Sequence, residues 1–434
     1  MNMHRATGIA LSVAAVITGA VLAGAQTPDG DRARGLRMLR DIKKELRSWY
    51  YDAAFGGRDI DALFAPSKQG IARARSQAEI SGLLAQAVLT LDDSHTYFIP
   101  SPLPYRVDYG FEVKAIGDKS FVTAVKPGSL AEADGLLAGM ALSAIEGAPA
   151  RRDELWKIFY ALNAVRPRRE LRLQLDVPGA ALVKVVRATT SEARPYERFE
   201  DWIQALDDTL RSRRARAYEI WDVSDAVVVV KLHTFDVTER QVDEVMKRAI
   251  GKQGLVLDLR ENGGGAVTAL VRLASYFFPD RRTIGGLQRR KGTERLVTEP
   301  RKAHQRFDGK LVVLVDSQSA SASEVLARML QLEQRATIVG DRSAGSVMVS
   351  MSHTFTEGHE GRFLLYGLSI THARLVMTDG ASLEGHGVVP DEVALPAASD
   401  LADGRDPVLA RATALLGVPT TPAQAGKTFP RRWE

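Results

Sequence analysis

The sequence predicts a multi-domain protein of mixed α/β and β class: a helical leading segment, a β-rich module, and a larger α/β unit on a largely parallel sheet. Three patterns predict it. After about residue 215, continuous apolar strand candidates alternate with helix candidates, as a parallel sheet covered on both faces requires. Between 106 and 190, short strand candidates are separated by Pro-Gly and Gly turns. Between 31 and 90, apolar residues recur at helical spacing.

The first 25 residues read as a signal peptide. Arg5 supplies a positive start, residues 9–22 are apolar, and Ala23-Gly24-Ala25 is a small-residue cleavage site before Gln26. An uncleaved membrane anchor is the alternative, although the stretch is short for a span. Without a cysteine, no lipid-modified Cys can follow it. The expectation is an exported protein, periplasmic or associated with a bacterial envelope, whose membrane contact is limited to an uncleaved leader. The 434 residues hold no Cys, which excludes disulfides, thiolate metal sites and a Cys nucleophile. The net charge of +5 is spread among interspersed acids and bases. No basic stripe suggests nucleic acid. With 45% hydrophobic residues the chain can fill several cores.

In the leading segment, 31–100, Leu36, Leu39, Ile42 and Leu46 mark one helix, and Ile80, Leu83, Leu84 and Ala87 another. Prolines from 100 to 104 break the chain. In the β module, 106–190, strands are expected at 111–116, 121–125, 141–145, 171–175 and 182–186, with helices at 129–133 and 155–162. In the α/β unit, 191–398, strands are expected at 227–232, 255–259, 311–315 and 337–339. Helices follow at 237–250, at 267–277, and after Ser321, where Val325, Leu326, Met329 and Leu330 form one face. A helix and tail, 399–434, close the chain.

Two turns fall at the C-terminal ends of expected parallel strands, where open α/β sheets place their sites. One is the serine-rich stretch Asp316-Ser317-Gln318-Ser319-Ala320-Ser321-Ala322-Ser323-Glu324. It can present Ser321 as a nucleophile at a helix N-terminus. It also fits a capping box, with Glu324 reaching back to Ser321. The other is Asp258-Leu259-Arg260-Glu261-Asn262-Gly263-Gly264-Gly265. No Gly-Lys-Ser/Thr follows, so a phosphate cradle is excluded. An oxyanion-binding turn and a plain tight turn both remain open. A serine nucleophile needs a base. His95, in Asp93-Ser94-His95-Thr96, is one candidate. His386 is its main rival, and His353 a weaker one, since alternation with Met351 and Phe355 suits a strand. No His-Glu-x-x-His is present, and neither a metal nor a cofactor is expected.

The β module resembles a PDZ domain through the Tyr109-Gly110-Phe111 loop, Val125-x-Pro127-Gly128-Ser129-x-Ala131 and Gly135-Leu136-x-x-Gly139-Met140. The resemblance implies that Tyr109, Gly110 and Phe111 hold a peptide carboxylate while the peptide adds a strand.

From about 35 to 395 the chain resembles the S41 peptidase family, the C-terminal-processing and tricorn-like serine proteases. Six motifs carry the likeness in the family's order. They are Leu91-x-Asp93-x-His95-Thr96, the PDZ-like insert, Asp258-Leu259-Arg260-x-Asn262-x-Gly264-Gly265, 319–324, Gly340-Asp341-Arg342-x-Ala344-Gly345, and Glu384-Gly385-x-Gly387-Val388-x-Pro390-Asp391. The likeness implies a crotonase-like or ClpP-like protease core acting on peptide or protein substrates, with oligomerisation possible. The lysine base of the C-terminal-processing branch is absent. Its position is Ser346, and no lysine lies between Lys310 and Lys427. The tricorn-like pattern matches instead. It implies a tetrad of Ser321 nucleophile, His95 base, Ser94 and Glu384, with Asp379 as the alternative acid. Gly264 and Ala322 would form the oxyanion hole. A catalytically inactive protein of the same fold, binding peptides or apolar ligands in the envelope, is the alternative.

Overall fold

The structure is a computed structural model and describes residues 29–177, 180–193, 199–359 and 362–433. The expected signal peptide lies outside the described residues. Among the described residues no helix is long and apolar enough to cross a membrane.

Three helices open the described chain: α1 (Asp29–Trp49), α2 (Ile60–Arg73) and α3 (Gln77–Leu89). They pack closely because Gly35 has no side chain. A Cβ there would lie 2.6 Å from the Ile80 methyl. The Ser76 side chain caps α3 by accepting from Glu79 N–H at 3.1 Å. Past α3 the chain turns through Asp92, at positive φ, into β1 (Tyr97–Ile99).

The β module follows. A two-stranded ribbon pairs β2 (Tyr105–Asp108) with β9 (Thr189–Glu192). Between them lie β3 (Phe111–Ile116), β4 (Lys119–Val125), α4 (Leu130–Ala133), β5 (Ala141–Ile145), β6 (Ala148–Pro149), α5 (Leu155–Tyr160), β7 (Glu170–Val177) and β8 (Ala180–Arg187). Their antiparallel sheet runs β3-β4-β5-β7-β8, so β3 is an edge strand. The module shares one apolar cluster with α1–α3.

After α6 (Phe199–Ala215) comes a six-stranded sheet: β10 (Tyr218–Asp222), β11 (Val227–Leu232), β12 (Gly254–Asp258), β15 (Lys310–Val315), β16 (Thr337–Gly340) and β19 (Glu392–Val393). All its pairings are parallel except β10 with β11. Its strands are apolar at successive positions because both faces are covered. Val313 and Val315 face α7 (Glu239–Ala249), α8 (Val267–Ala274) and α9 (Ala322–Leu332), while Val312 and Leu314 join the cluster of Val408, Leu409 and Ala412. The four expected strands, β11, β12, β15 and β16, and the helices α7 to α9 begin and end within about three residues of the sequence expectation, whereas β10, β19 and α6 were not foreseen.

The sequence reading missed an antiparallel sheet built from β1, β13 (Thr283–Arg289), β14 (Thr293–Val297), β17 (Met348–His359) and β18 (Arg362–Met377). The single helix expected after 398 is three: α10 (Ala398–Ala402), α11 (Pro407–Leu415) and α12 (Pro422–Gly426). Each break is followed by a proline at the start of the next helix.

Candidate active site

Ser321 sits between β15 and α9 with φ 55° and ψ −117°, a left-handed conformation that costs a side-chain-bearing residue about 1–3 kcal/mol. Its N–H is held twice, by the Ser346 carbonyl at 2.8 Å and by Glu324 Oε2 at 3.0 Å. Glu324 therefore reaches back as a capping box requires, but the Ser321 hydroxyl gives no side-chain cap. The Glu324 N–H goes to the Ser321 carbonyl instead, at 3.0 Å. This leaves the hydroxyl free of helix duty.

Glu324 does more than cap. It is fully buried, and its carboxylate also accepts from Ser343 Oγ at 2.6 Å, Gly345 N–H at 2.7 Å and Ser346 N–H at 2.9 Å. Burial pushes it up to about 7 against these bonds. One carboxylate thus ties the 343–346 loop to the serine turn. Sequence reasoning missed this role, because Ser-x-x-Glu signals only the local half of the arrangement.

The glycine turn lies against Ser321. A Cβ on Gly264 would be 2.6 Å from Ser321 Cβ and 3.0 Å from Ala322 N, so only glycine fits. Asn262, fully buried, fixes the turn. Its Nδ2 donates to the Leu232 carbonyl at 2.7 Å, and its carbonyl accepts from Ala320 N–H and Ser323 Oγ, both at 2.9 Å. Its Oδ1 accepts the Gly264 N–H at 2.9 Å, so that donor is engaged in this conformation. Ala322 is the first residue of α9, where an N–H has no acceptor within the helix.

Ser94, His95 and Glu384 come together from sequence positions nearly 300 apart. Glu384 Oε1 accepts the Ser94 N–H at 3.0 Å, and Oε2 accepts the Ser94 hydroxyl at 3.1 Å. The Val347 N–H adds a third bond to Oε2 at 2.7 Å. Ser94 Oγ lies 2.8 Å from His95 Nδ1. Since Ser94 gives its proton to the carboxylate, it accepts from Nδ1, which places the imidazole proton there and leaves Nε2 unprotonated. Burial holds His95 below its ordinary value and Glu384 above the usual carboxylate range. The His95 backbone is clamped by Asp93 Oδ1 on its N–H (2.9 Å) and by Ser369 Oγ on its carbonyl (2.7 Å). Ser346, at the position of the absent lysine, has its Oγ 3.5 Å from the same Nδ1. Among the described residues no hydrogen bond joins His95 to Ser321.

The rivals lie elsewhere. His386 is exposed, and its ring Nδ1 lies 2.9 Å from the Glu384 carbonyl. His353 pairs with Glu45 at 3.2 Å. Asp379 is taken by Arg328 at 2.6 Å. Among the described residues no group of three or more His, Asp or Glu side chains could hold a metal ion.

A cavity of about 1560 Å³ lies along β3 and the two turns, which also meet directly where Lys114 pairs with Glu261 and Asp316 and where Ser317 Oγ donates to the Ala115 carbonyl at 2.5 Å. Phe111–Ala115 of β3 line one side, and Ser94, Gly264, Ala320, Ser346 and Glu384 the other. Ser321 and His95 are half-buried and are not among the lining residues. The Tyr109-Gly110-Phe111 loop is at one end. Its Gly110 N–H already donates to Asp108 Oδ1 at 2.8 Å, and both aromatic side chains are buried.

Residues 226–394 match the model of Peptidase family S41. A carboxyl-terminal-processing protease of Synechocystis sp. is 35% identical over 143 residues, 33% of this chain and 31% of that one. A probable CtpA-like serine protease of Staphylococcus aureus is 25% identical over 288 residues, covering 66% of this chain and 52% of the relative. The chain thus spans between about a third and a half of the curated relatives it matches. Among solved structures, the photosystem II D1 C-terminal processing protease superposes with a TM-score of 0.51 at 21% identity, over 83% of this chain and 93% of that one. Mature CPAF superposes with a TM-score of 0.64 at 14% identity, over 86% and 94%. These likenesses show the fold. The stretch 226–394, which carries the glycine turn, the serine turn and Glu384, is thus similar to peptidase family S41.

Proposed function

We propose that the protein is an exported serine endopeptidase in which Ser321 is the nucleophile, His95 the base, and Ser94 and Glu384 the groups that orient it. The observation that carries the reading is the Glu384–Ser94–His95 chain, with bonds of 3.1 and 2.8 Å, beside a strained serine with an uncommitted hydroxyl. In the reaction, His95 Nε2 takes the Ser321 proton as Oγ bonds to the peptide carbonyl carbon. The proton passes to the leaving amine as the C–N bond breaks, and water then hydrolyses the acyl-enzyme by the same route. Ala322 N–H and Gly264 N–H receive the oxyanion, Gly264 on leaving Asn262 Oδ1. Loss of one such donor lowers rates about 100- to 1000-fold.

The β module acts in this reading as a PDZ-like domain. A peptide would add a strand at the β3 edge, with its carboxylate at Tyr109, Gly110 and Phe111. Ser321→Ala is expected to abolish peptide hydrolysis and leave the thermal transition in place. A serine-reactive phosphonate should label Ser321 in the native chain alone. A variant that still hydrolyses peptides at the native rate overturns the assignment. The engaged Gly264 N–H and the missing Ser321–His95 bond favour a second reading, a non-catalytic peptide-binding protein. That protein would take no phosphonate label.

A further inference from the structure

The segment that follows α12 forms part of the wall of the cavity beside β3 and the two turns, where Phe429, Pro430, Arg431 and Arg432 line it; Phe429 and Arg431 also line a neighbouring cavity with Trp433. The Arg431 guanidinium pairs with Glu112 on β3 and lies 3.4 Å from Glu261, which directly precedes Asn262 and the glycine turn. Arg432 pairs with Glu219 at 3.1 Å. The segment therefore bridges the edge strand and the oxyanion turn, the two surfaces between which a peptide would pass.

The acids differ in their other partners. Glu261 is already neutralised by Lys114 and by Lys231 at 3.0 Å. Glu219 also meets His233 at 2.9 Å. Among the described residues the structure gives Glu112 no ion partner but Arg431. With the segment withdrawn, Glu112 and Glu219 would present carboxylates to the cavity that call for an incoming cation. The base of the segment is fixed, because Ala425 is buried and Gly426 packs on the Gly404 carbonyl. Its far end is held by half-exposed ion pairs, each worth at most about fivefold in an equilibrium constant. That is weak enough for a peptide to displace it.

We propose that the 429–433 segment is an internal occupant of the peptide channel, and that the channel selects peptides presenting arginine to Glu112 and Glu219. The inference rests on the reading of the cavity as a peptide channel, and its test uses binding rather than hydrolysis. A fluorescent peptide with the sequence Lys-Thr-Phe-Pro-Arg-Arg-Trp is titrated into the full-length chain and followed by anisotropy. The double variant Arg431→Ala/Arg432→Ala should bind it at least tenfold more tightly than the native chain. A peptide with both arginines replaced by glutamine should bind at least tenfold more weakly, and the preference should shrink as salt is raised. Equal binding of the two peptides, or equal binding by the two chains, overturns the proposal. Should the double variant misfold, Glu112→Gln in the full chain serves instead. Amide exchange across 428–433 should then accelerate several-fold, and unchanged exchange has the same negative force. Arginine-selective binding by a chain that hydrolyses nothing leaves this inference standing and removes the peptidase. Hydrolysis with no arginine preference does the reverse.

Discussion

Glu324 is the residue on which the site's response to pH turns. Its carboxylate holds Ser321, Gly345 and Ser346 through their N–H groups, and burial pushes it up to about 7 from an ordinary 4.5. His95 is pulled the other way by burial, so it stays neutral further into acid. The acid limb of kcat/KM should therefore fall near pH 7, where Glu324 takes a proton and loses an accepting lone pair, and not at the imidazole. Stability runs in the opposite direction. With the folded value raised above the unfolded one, the contribution of the protonated form is complete below about pH 4.5. It is lost as pH rises through about 7, a change of roughly 3 kcal/mol. Glu324→Gln should lower activity throughout, move the acid limb down to that of His95, and flatten stability between pH 4.5 and 7. A pH–rate profile and denaturant melts at several pH values check this, and an unmoved limb removes Glu324 from the account. Of these bonds the sequence carried only the local one. Glu324 three residues after Ser321 reads as a cap, whereas its bonds to 343–346 depend on where the β16 turn returns. Ser94, His95 and Glu384 were legible by resemblance to a family pattern, and nothing in their spacing brings them together.

At the scale of elements, the site is two strand-ends held in register. β12 and β15 pair in parallel, Asp258 opposite Leu314, so the glycine and serine turns emerge side by side. Asn262 fixes both: its side-chain amide ties the glycine turn to β11, and its backbone carbonyl accepts from Ala320 N–H and Ser323 Oγ in the serine turn. Asn262→Ala would leave the Leu232 carbonyl and the Gly264 N–H without their side-chain partners. The expected result is a loss of about 1–3 kcal/mol in denaturant unfolding. The turn beside Ser321 would also lose its anchor, so kcat for a peptide should fall by at least tenfold with KM little changed. An unchanged kcat would mean that Asn262 is structural only. The strands that place the turns were readable because burial on both faces makes them continuous apolar runs. β18 was not, and of β17 only the alternation of Met351, His353 and Phe355 was legible. Met351 is 55% exposed on one strand while Leu368 is fully buried on the other. β18 also pairs with β1, β13 and β17, contacts set by distant segments and not by a local period.

For the whole molecule, the question is what joins the β module to the α/β core. The sequence showed the order of the modules but not their contacts, since charged residues such as Lys114 and Arg152 read as ordinary surface. Both are largely buried at the junction, with side chains 12% and 11% exposed. Arg152 pairs with Asp341 and donates to the Gly117 carbonyl at 2.9 Å, while Gly117 N–H donates to Asp341 Oδ2 at 2.9 Å. Lys114, on β3, pairs with Glu261 and, at 3.3 Å, with Asp316. Burial works against its charge, but the two carboxylates outweigh it and hold Lys114 above its ordinary value. Those carboxylates begin the two site turns: Asp316 Oδ1 accepts the Glu261 N–H at 3.0 Å. One ammonium therefore ties the edge strand to both turns. Lys114→Met keeps the apolar stem and removes the charge, leaving Glu261 to Lys231 and Arg431, and Asp316 to backbone N–H groups and the Ser319 hydroxyl. Removing one partner of a buried pair typically costs about 3–5 kcal/mol, and the partners that remain should reduce this to about 1–3 kcal/mol. Lys119→Met, which breaks an exposed pair with Asp176, should cost under about 1 kcal/mol and is the control. If the junction positions the turns, Lys114→Met also lowers peptide turnover at temperatures where the chain is fully folded, and Lys119→Met does not. Equal costs for the two variants in denaturant unfolding, with equal turnover, would place the coupling between module and core outside Lys114.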